Sequence, residues 1–211
     1  MLSKLFGRKD RDEAPPALPR VGEATLGRAV RIDPSMLEAI AAVTNEPVSP
    51  DLVITGQGLI EMAGEDGTTW LHRFYDDEHR MLQALTNEAA GGDAVEWSFY
   101  VPAGTEHLAV GARRSAWTDR LSKASYAHEG EPYARYWYED DPRDQPPVRL
   151  VEVVREAPGE DGTEIVQDCM VYGRETPAGE VLLLALVLGQ GDEAVLETMI
   201  GTGLRPHQVS V

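Results

Sequence analysis

A chain of 211 residues, 42% hydrophobic and 26% charged, is long enough to bury a substantial core and has the balance of an ordinary globular protein. Its formal net charge of −17 repels phosphate backbones, which argues against general nucleic-acid binding. Cys169 is the only cysteine, which excludes an internal disulfide and a cysteine-rich zinc site, and no run of about 18 apolar residues is present to cross a membrane as a helix.

In chain order, residues 1–20 read as a flexible leader. "DEAPPALPR" is charged and proline-rich, which disfavours helix and sheet alike. Before it, Leu2, Leu5 and Phe6 stand among Lys4, Arg8, Lys9 and Arg11. Such a short basic amphipathic segment suits contact with an anionic membrane surface, with a plain disordered leader as the other reading. It has neither the apolar stretch nor the small-residue cleavage site of a signal peptide, and with one cysteine the natural compartment is a reducing cytoplasm.

Residues 21–211 read as one β-rich globular domain, with a division into sub-units at about 48–112 and 130–211 as a variant. "RIDPSMLEAIAAV" predicts a helix over 34–43: Asp33 suits the N-cap, Pro34 the first position, and Met36, Leu37, Ile40 and Val43 share a face. A second short helix is expected at about Ala116 to Ala124. Most of the remainder reads as strands, including "DLVITGQGLIEMA", "AVEWSFYV", "VRLVEVVRE", "TEIVQDCMVYGRE" and "EVLLLALVLG". Turn signals separate them and no regular helix intervenes, so the sheet is expected to be mainly antiparallel. "GEDGT" occurs at 64–68 and again at 159–163, each between strand patterns, which allows a duplicated meander as well as two convergent hairpin turns.

"WLHRFYDDEHRMLQAL", residues 70–85, admits two folds. As a helix it would carry an apolar face and stack His72, Asp76 and His79 into a possible metal site. As a hairpin, "TTWLHRFY" is a strand rich in threonine and aromatics, and "DDEH" is the loop before "RMLQAL". In the hairpin His72 shares a face with Trp70 and Phe74.

"WLHRFYDDEHRMLQ", "YARYW" and "MVYGRET" together resemble landmarks of an uncharacterised bacterial family, the YjfK-type proteins, over about residue 20 to the end. The resemblance implies a small cytoplasmic β-rich protein without an assigned activity or an established catalytic residue. It also implies a gene neighbourhood that includes a phage-shock-type membrane-remodelling protein, and so membrane stress. On this resemblance the hairpin is favoured over the helix and no metal site is expected.

Three Arg/Tyr pairs are spaced i, i+2: Arg73 with Tyr75, Tyr133 with Arg135, and Tyr172 with Arg174. On a strand each pair points to one face. Guanidinium groups bind carboxylate and phosphate bidentately, and tyrosine adds a hydroxyl and a flat apolar surface. If the strands are neighbours, the six residues would line a site for an anion or an acidic partner segment; internal ion pairing is the alternative in so acidic a chain. Tyr136, Trp137 and Tyr138 beside "EDDPRD" are candidate interface aromatics or core residues. Cys169 sits inside a strand pattern without a base nearby, as a structural thiol would. No G-x-S-x-G elbow, P-loop or G-x-G-x-x-G is present.

The expected fold is therefore α+β: mainly antiparallel sheet, as two packed or duplicated β-units, with one or two short helices. The expected function is that of a non-enzymatic accessory protein without cofactor or metal. It would bind a protein partner, such as the membrane-remodelling protein, with at most peripheral contact to the inner membrane. The alternative is a β-protein or enzyme that uses the strand arginines on a small anionic ligand.

Overall fold

Strand after strand with tight turns between them can be satisfied only by lateral pairing of chain neighbours, and that principle organises the molecule. A computed structural model describes residues 17–64, 67–109, 112–189 and 193–211. The N-terminal half contains β1 (Arg20–Val21), β2 (Ala29–Ile32), a 3-10 turn (Pro34–Leu37) leading into α1 (Glu38–Thr44), β3 (Asp51–Val53), β4 (Gly56–Gly64), β5 (Gly67–Tyr75), β6 (Met81–Thr86), β7 (Gly91–Gly92) and β8 (Glu96–Ala109). After α2 (Ala112–Leu121) come β9 (Ser125–His128), β10 (Glu131–Arg135), β11 (Val148–Arg155), β12 (Thr163–Thr176), β13 (Gly179–Leu188) and β14 (Glu193–Leu204). A second 3-10 turn (Pro206–Gln208) and β15 (Val209–Ser210) follow.

Two four-stranded antiparallel meanders, β4-β5-β6-β8 and β11-β12-β13-β14, meet along both edges. β8 pairs with β14 and β11 pairs with β4, so among the described residues eight strands close into a barrel. Closure removes the unpaired edges that such long apolar strands would otherwise expose. β12 is long enough to serve two partners: residues 163–169 pair with β11, while Tyr172 and Gly173 pair with β10 of the β9-β10 hairpin. A register shift between Thr198 and Met199 bends β14 against β8.

The strands bury both faces, which forms two cores. Ile60, Leu71, Met81, Tyr100, Cys169, Leu184 and Met199 pack together in the barrel interior. Phe74, Leu82, Trp97, Phe99, Tyr172, Leu183 and Ile200 pack outside it, under Ile32, Ile40, Leu52 and Leu121 of the outer elements. β13 shows the alternation plainly: Leu182, Leu184 and Leu186 belong to the inner core, and Val181, Leu183, Ala185 and Val187 to the outer. Burial on both sides is why Val181–Leu188 reads as an unbroken apolar run. Gly201 permits close approach across the barrel wall, because a Cβ there would lie 2.3 Å from Tyr100 Cδ1.

The first helix forms where expected, in two parts. Asp33 Oδ1 accepts hydrogen bonds from the Ser35 backbone N–H (3.0 Å) and hydroxyl (2.8 Å), Pro34 opens the 3-10 turn, and Asn45 ends α1 with φ of 57°. The second helix lies earlier than expected, at 112–121 rather than 116–124. Tyr126 and its neighbours are drawn instead into the β9-β10 hairpin, whose turn has positive φ at both Glu129 (52°) and Gly130 (84°).

Residues 70–85 form a hairpin, β5 and β6, paired from Trp70↔Thr86 to Tyr75↔Met81. Asp76 organises the intervening loop: its Oδ1 accepts from the backbone N–H of Glu78 and Arg80, and its Oδ2 accepts from Arg80 Nε at 2.7 Å. Arg80 in turn donates to the carbonyl oxygens of Ser49 and Asp51, which fastens the loop beside β3. His72, Asp76 and His79 therefore do not converge, and no cluster of ligating side chains suited to a metal ion occurs among the described residues. No helix among them is long and apolar enough to cross a membrane.

Candidate functional site

The inward face of β5 carries Leu71, Arg73 and Tyr75, so a guanidinium enters the barrel interior on an otherwise apolar strand face. Arg73 is 1% exposed, and an unpaired charge there would be prohibitively costly. β11 supplies the answer with Glu152, 2% exposed, between Leu150 and Val154. Arg73 Nη1 donates to Glu152 Oε2 (2.9 Å) and to Gln167 Oε1 (2.8 Å), and its Nε donates to Gln83 Oε1 (3.1 Å). Gln167 Nε2 donates to Glu152 Oε2 (2.8 Å), and the Tyr75 hydroxyl donates to Glu152 Oε1 (2.7 Å). Four strands, β5, β6, β11 and β12, thus tie one polar network across the barrel. Gly58 makes room for it: a Cβ there would lie 1.7 Å from Glu152 Oε1.

Electrostatics keep the network in one state. Burial alone would lower the pKa of Arg73, but the Glu152 carboxylate outweighs it and holds the guanidinium charged. Burial, reinforced by Glu152, pushes the Tyr75 hydroxyl well above its ordinary pKa, so it remains a donor. Burial likewise pushes the Cys169 thiol up to about 12, as for an inert structural thiol rather than a nucleophile.

This network is the floor of a cavity of about 760 Å³ that opens at one end of the barrel. Met81, Ile165, Leu186, Leu188 and Met199 make its walls, and Asp77, Glu156 and Glu197 stand among the lining residues. Glu197 is half-buried, and burial raises its pKa against a smaller opposing effect from His79. The volume suits a small organic molecule, and the mixture of apolar walls with a few fixed polar groups is that of ligand pockets in general.

The three Arg/Tyr pairs do not form one site. Arg73 and Tyr75 point into the barrel; the other two pairs meet on its outside, where β10 lies against β12. Arg174 sits 4.9 Å from the centroid of the Tyr133 ring and pairs with Glu131. The Tyr172 hydroxyl donates to the Leu121 carbonyl at 2.7 Å. Arg135 is buried and donates to the carbonyl oxygens of Ser122, Tyr138, Asp141 and Arg143, which fixes the loop after β10. That loop carries Tyr136, Trp137 and Tyr138 at the opposite end of the barrel, beside a depression of about 1130 Å³. Tyr136 and Tyr138 are exposed (45% and 52%), whereas Trp137 packs against both cores. Leu2, Leu5 and Phe6 lie outside the described residues.

Glu152 and Gln167 are the site residues that the sequence reading missed. A signal for Glu152 was available: in "RLVEVVR" the alternation Leu150, Glu152, Val154 places a carboxylate at an inward position. Such a residue needs a cationic partner elsewhere, and Arg73 is the corresponding misfit on β5.

No curated protein matches the chain, and no solved structure does. A family model matches residues 1–210, nearly the whole length. The chain, with its closed barrel and buried Arg73–Glu152 network, belongs to the family described as "Protein of unknown function (DUF2491)".

Proposed function

We propose that this protein is a non-enzymatic binding protein that holds a small organic molecule in the open end of its barrel. The observation that carries the reading is the cavity of about 760 Å³, walled by apolar side chains and floored by a fixed network of buried polar ones. Arg73 is engaged by Glu152 and Gln167 through Nη1 and by Gln83 through Nε, so it acts as a rigid element of the floor. Small-molecule retention tests this. The purified protein is equilibrated with a total metabolite extract, desalted and denatured, and the released compounds are identified by mass spectrometry. A compound retained by the native protein and lost from Leu188→Trp, which fills the mouth, supports the reading. No retained compound, or equal retention by both proteins, overturns it.

A second reading is binding of a protein partner, and the exposed pair Tyr136 and Tyr138 favours it. Both stand at the other end of the barrel on a loop held by Arg135. Exposed aromatics on a rigid base are what interface anchors require. Together with the family resemblance, this supports an accessory protein that docks on a membrane-remodelling partner at the inner membrane surface. Pull-down with Tyr136→Ala/Tyr138→Ala tests it: a partner captured by the native protein and lost from this variant is the expected result.

A further inference from the structure

The charge balance of the cavity, which rests on the small-molecule reading above, narrows the ligand to a chemical class. Two charge pairs in and beside the cavity cancel internally: Arg73 with Glu152, at 2.9 Å, and Asp76 with Arg80, at 2.6 Å. Asp77, Glu156 and Glu197 remain, and each lines the cavity without a cationic side chain within ion-pairing distance among the described residues. His79 also lines the cavity, and its effect on Glu197 is smaller than that of burial. Beside the mouth, the β11-β12 turn adds Glu160 and Asp161 along a depression that shares Val154, Glu156 and Ile165 with the cavity. The potential within is therefore negative, and low-dielectric walls concentrate it. Below the acids lies an apolar belt, and below that the neutralised floor.

We infer that the cavity takes an organic cation, specifically a primary alkylammonium whose hydrocarbon chain lies along the apolar walls while its ammonium group meets the carboxylates. An anion of the same size would face Glu197 and Asp77, and the Arg73 guanidinium already has its charge matched by the Glu152 carboxylate. An uncharged ligand would use the walls alone and forgo the attraction of the carboxylates.

Three probes of equal chain length separate these cases: hexylammonium, hexanoate and hexanol, titrated by calorimetry into the full-length protein at low and moderate salt. Hexylammonium is expected to bind roughly tenfold or more tightly than hexanoate, with a preference that shrinks as salt rises. Asp77→Asn/Glu197→Gln should weaken hexylammonium by roughly tenfold and leave hexanol unchanged. Circular dichroism and melting temperature check that this variant is folded. If it is not, Asp77→Asn alone, at an exposed position, serves in its place. Hexanoate binding as tightly as hexylammonium, or all three binding equally, would overturn the cationic class and leave the binding barrel standing. No binding of hexylammonium, while the metabolite extract yields a retained compound, would overturn the class alone. Failure of both experiments removes the barrel reading as well.

Discussion

A single carboxylate decides whether the interior of this barrel is tenable. Glu152 accepts from Arg73, Gln167 and Tyr75, so it satisfies the charge of one side chain and orients two others. Removing one member of a buried pair leaves the other charge uncompensated, which costs about 3–5 kcal/mol, whereas exchanging both for apolar residues of similar volume is often near neutral. Glu152→Ala should therefore lower unfolding stability by about 3–5 kcal/mol in urea. Arg73→Met/Glu152→Leu should recover most of that loss. If the double variant is as unstable as the sum of the single ones, the two charges do not act as a pair. Gly58 belongs to the same argument, since even a methyl group at that position would occupy the space of the Glu152 carboxylate. None of these roles follows from residue type alone. Arg73 was a visible candidate, but an i, i+2 spacing with Tyr75 specifies only that the two share a face of their own strand.

Among elements, the loop that follows β10 shows how a segment without regular structure is held. Arg135 donates to four backbone carbonyls, and Asp141 accepts from the Arg143 side chain, the Arg143 backbone N–H and Gln145. The side-chain and backbone hydrogen bonds from Arg143 lower the Asp141 pKa from 3.8 to about 2. Because the folded value is depressed, the stabilisation is fully present above the unfolded value of 3.8 and is lost as pH falls toward about 2. Amide protection in residues 136–145, taken relative to the intrinsic exchange rate at each pH, should therefore fall across that window. In Asp141→Asn the loop should exchange faster at neutral pH and lose this titration. An identical acid response in the variant would show that another group controls the loop. The sequence sets Tyr136, Trp137 and Tyr138 beside an acidic turn as interface or core candidates, and Arg135 on a strand face as a binding or internally ion-paired residue. The contacts of Arg135 are with the carbonyl of Ser122, just after α2, and with carbonyls of the turn beyond, which no strand periodicity encodes.

For the whole molecule, β11 is the seam. It is hydrogen-bonded to β12, its neighbour in the chain, and to β4 from the other meander. Val153 faces Leu59 on one side and Glu164 on the other, so proline there removes a ladder hydrogen bond in a strand paired on both edges. Val153→Pro should cost about 3 kcal/mol or more in urea unfolding and make the barrel unfold less cooperatively. A loss below about 1 kcal/mol would mean that the remaining strands hold the cavity without a closed seam. The outer layer adds a second constraint. α1, the β15-β2-β3 sheet and α2 cover strand faces that a simple barrel would leave to solvent, so both faces of β13 are apolar.

What the sequence by itself determined is the local chemistry. Asp33, Pro34 and Asn45 delimit a helix, the polar "DDEH" stretch admits a hairpin as well as a helix in residues 70–85, and the turn signals predict antiparallel meanders. Each of these depends on residues within a few positions of one another, so a linear reading reaches them. Only the tertiary structure decided that the meanders close through β4–β11 and β8–β14, and that closure determines which strand face becomes interior. It sends Arg73 and Tyr75 to the cavity and the pairs around Arg135 and Arg174 to the outside. The physical reason is that a charged side chain is tolerated in the interior only where a partner arrives from a distant strand, as Glu152 does, and strand order is a property of closure rather than of spacing.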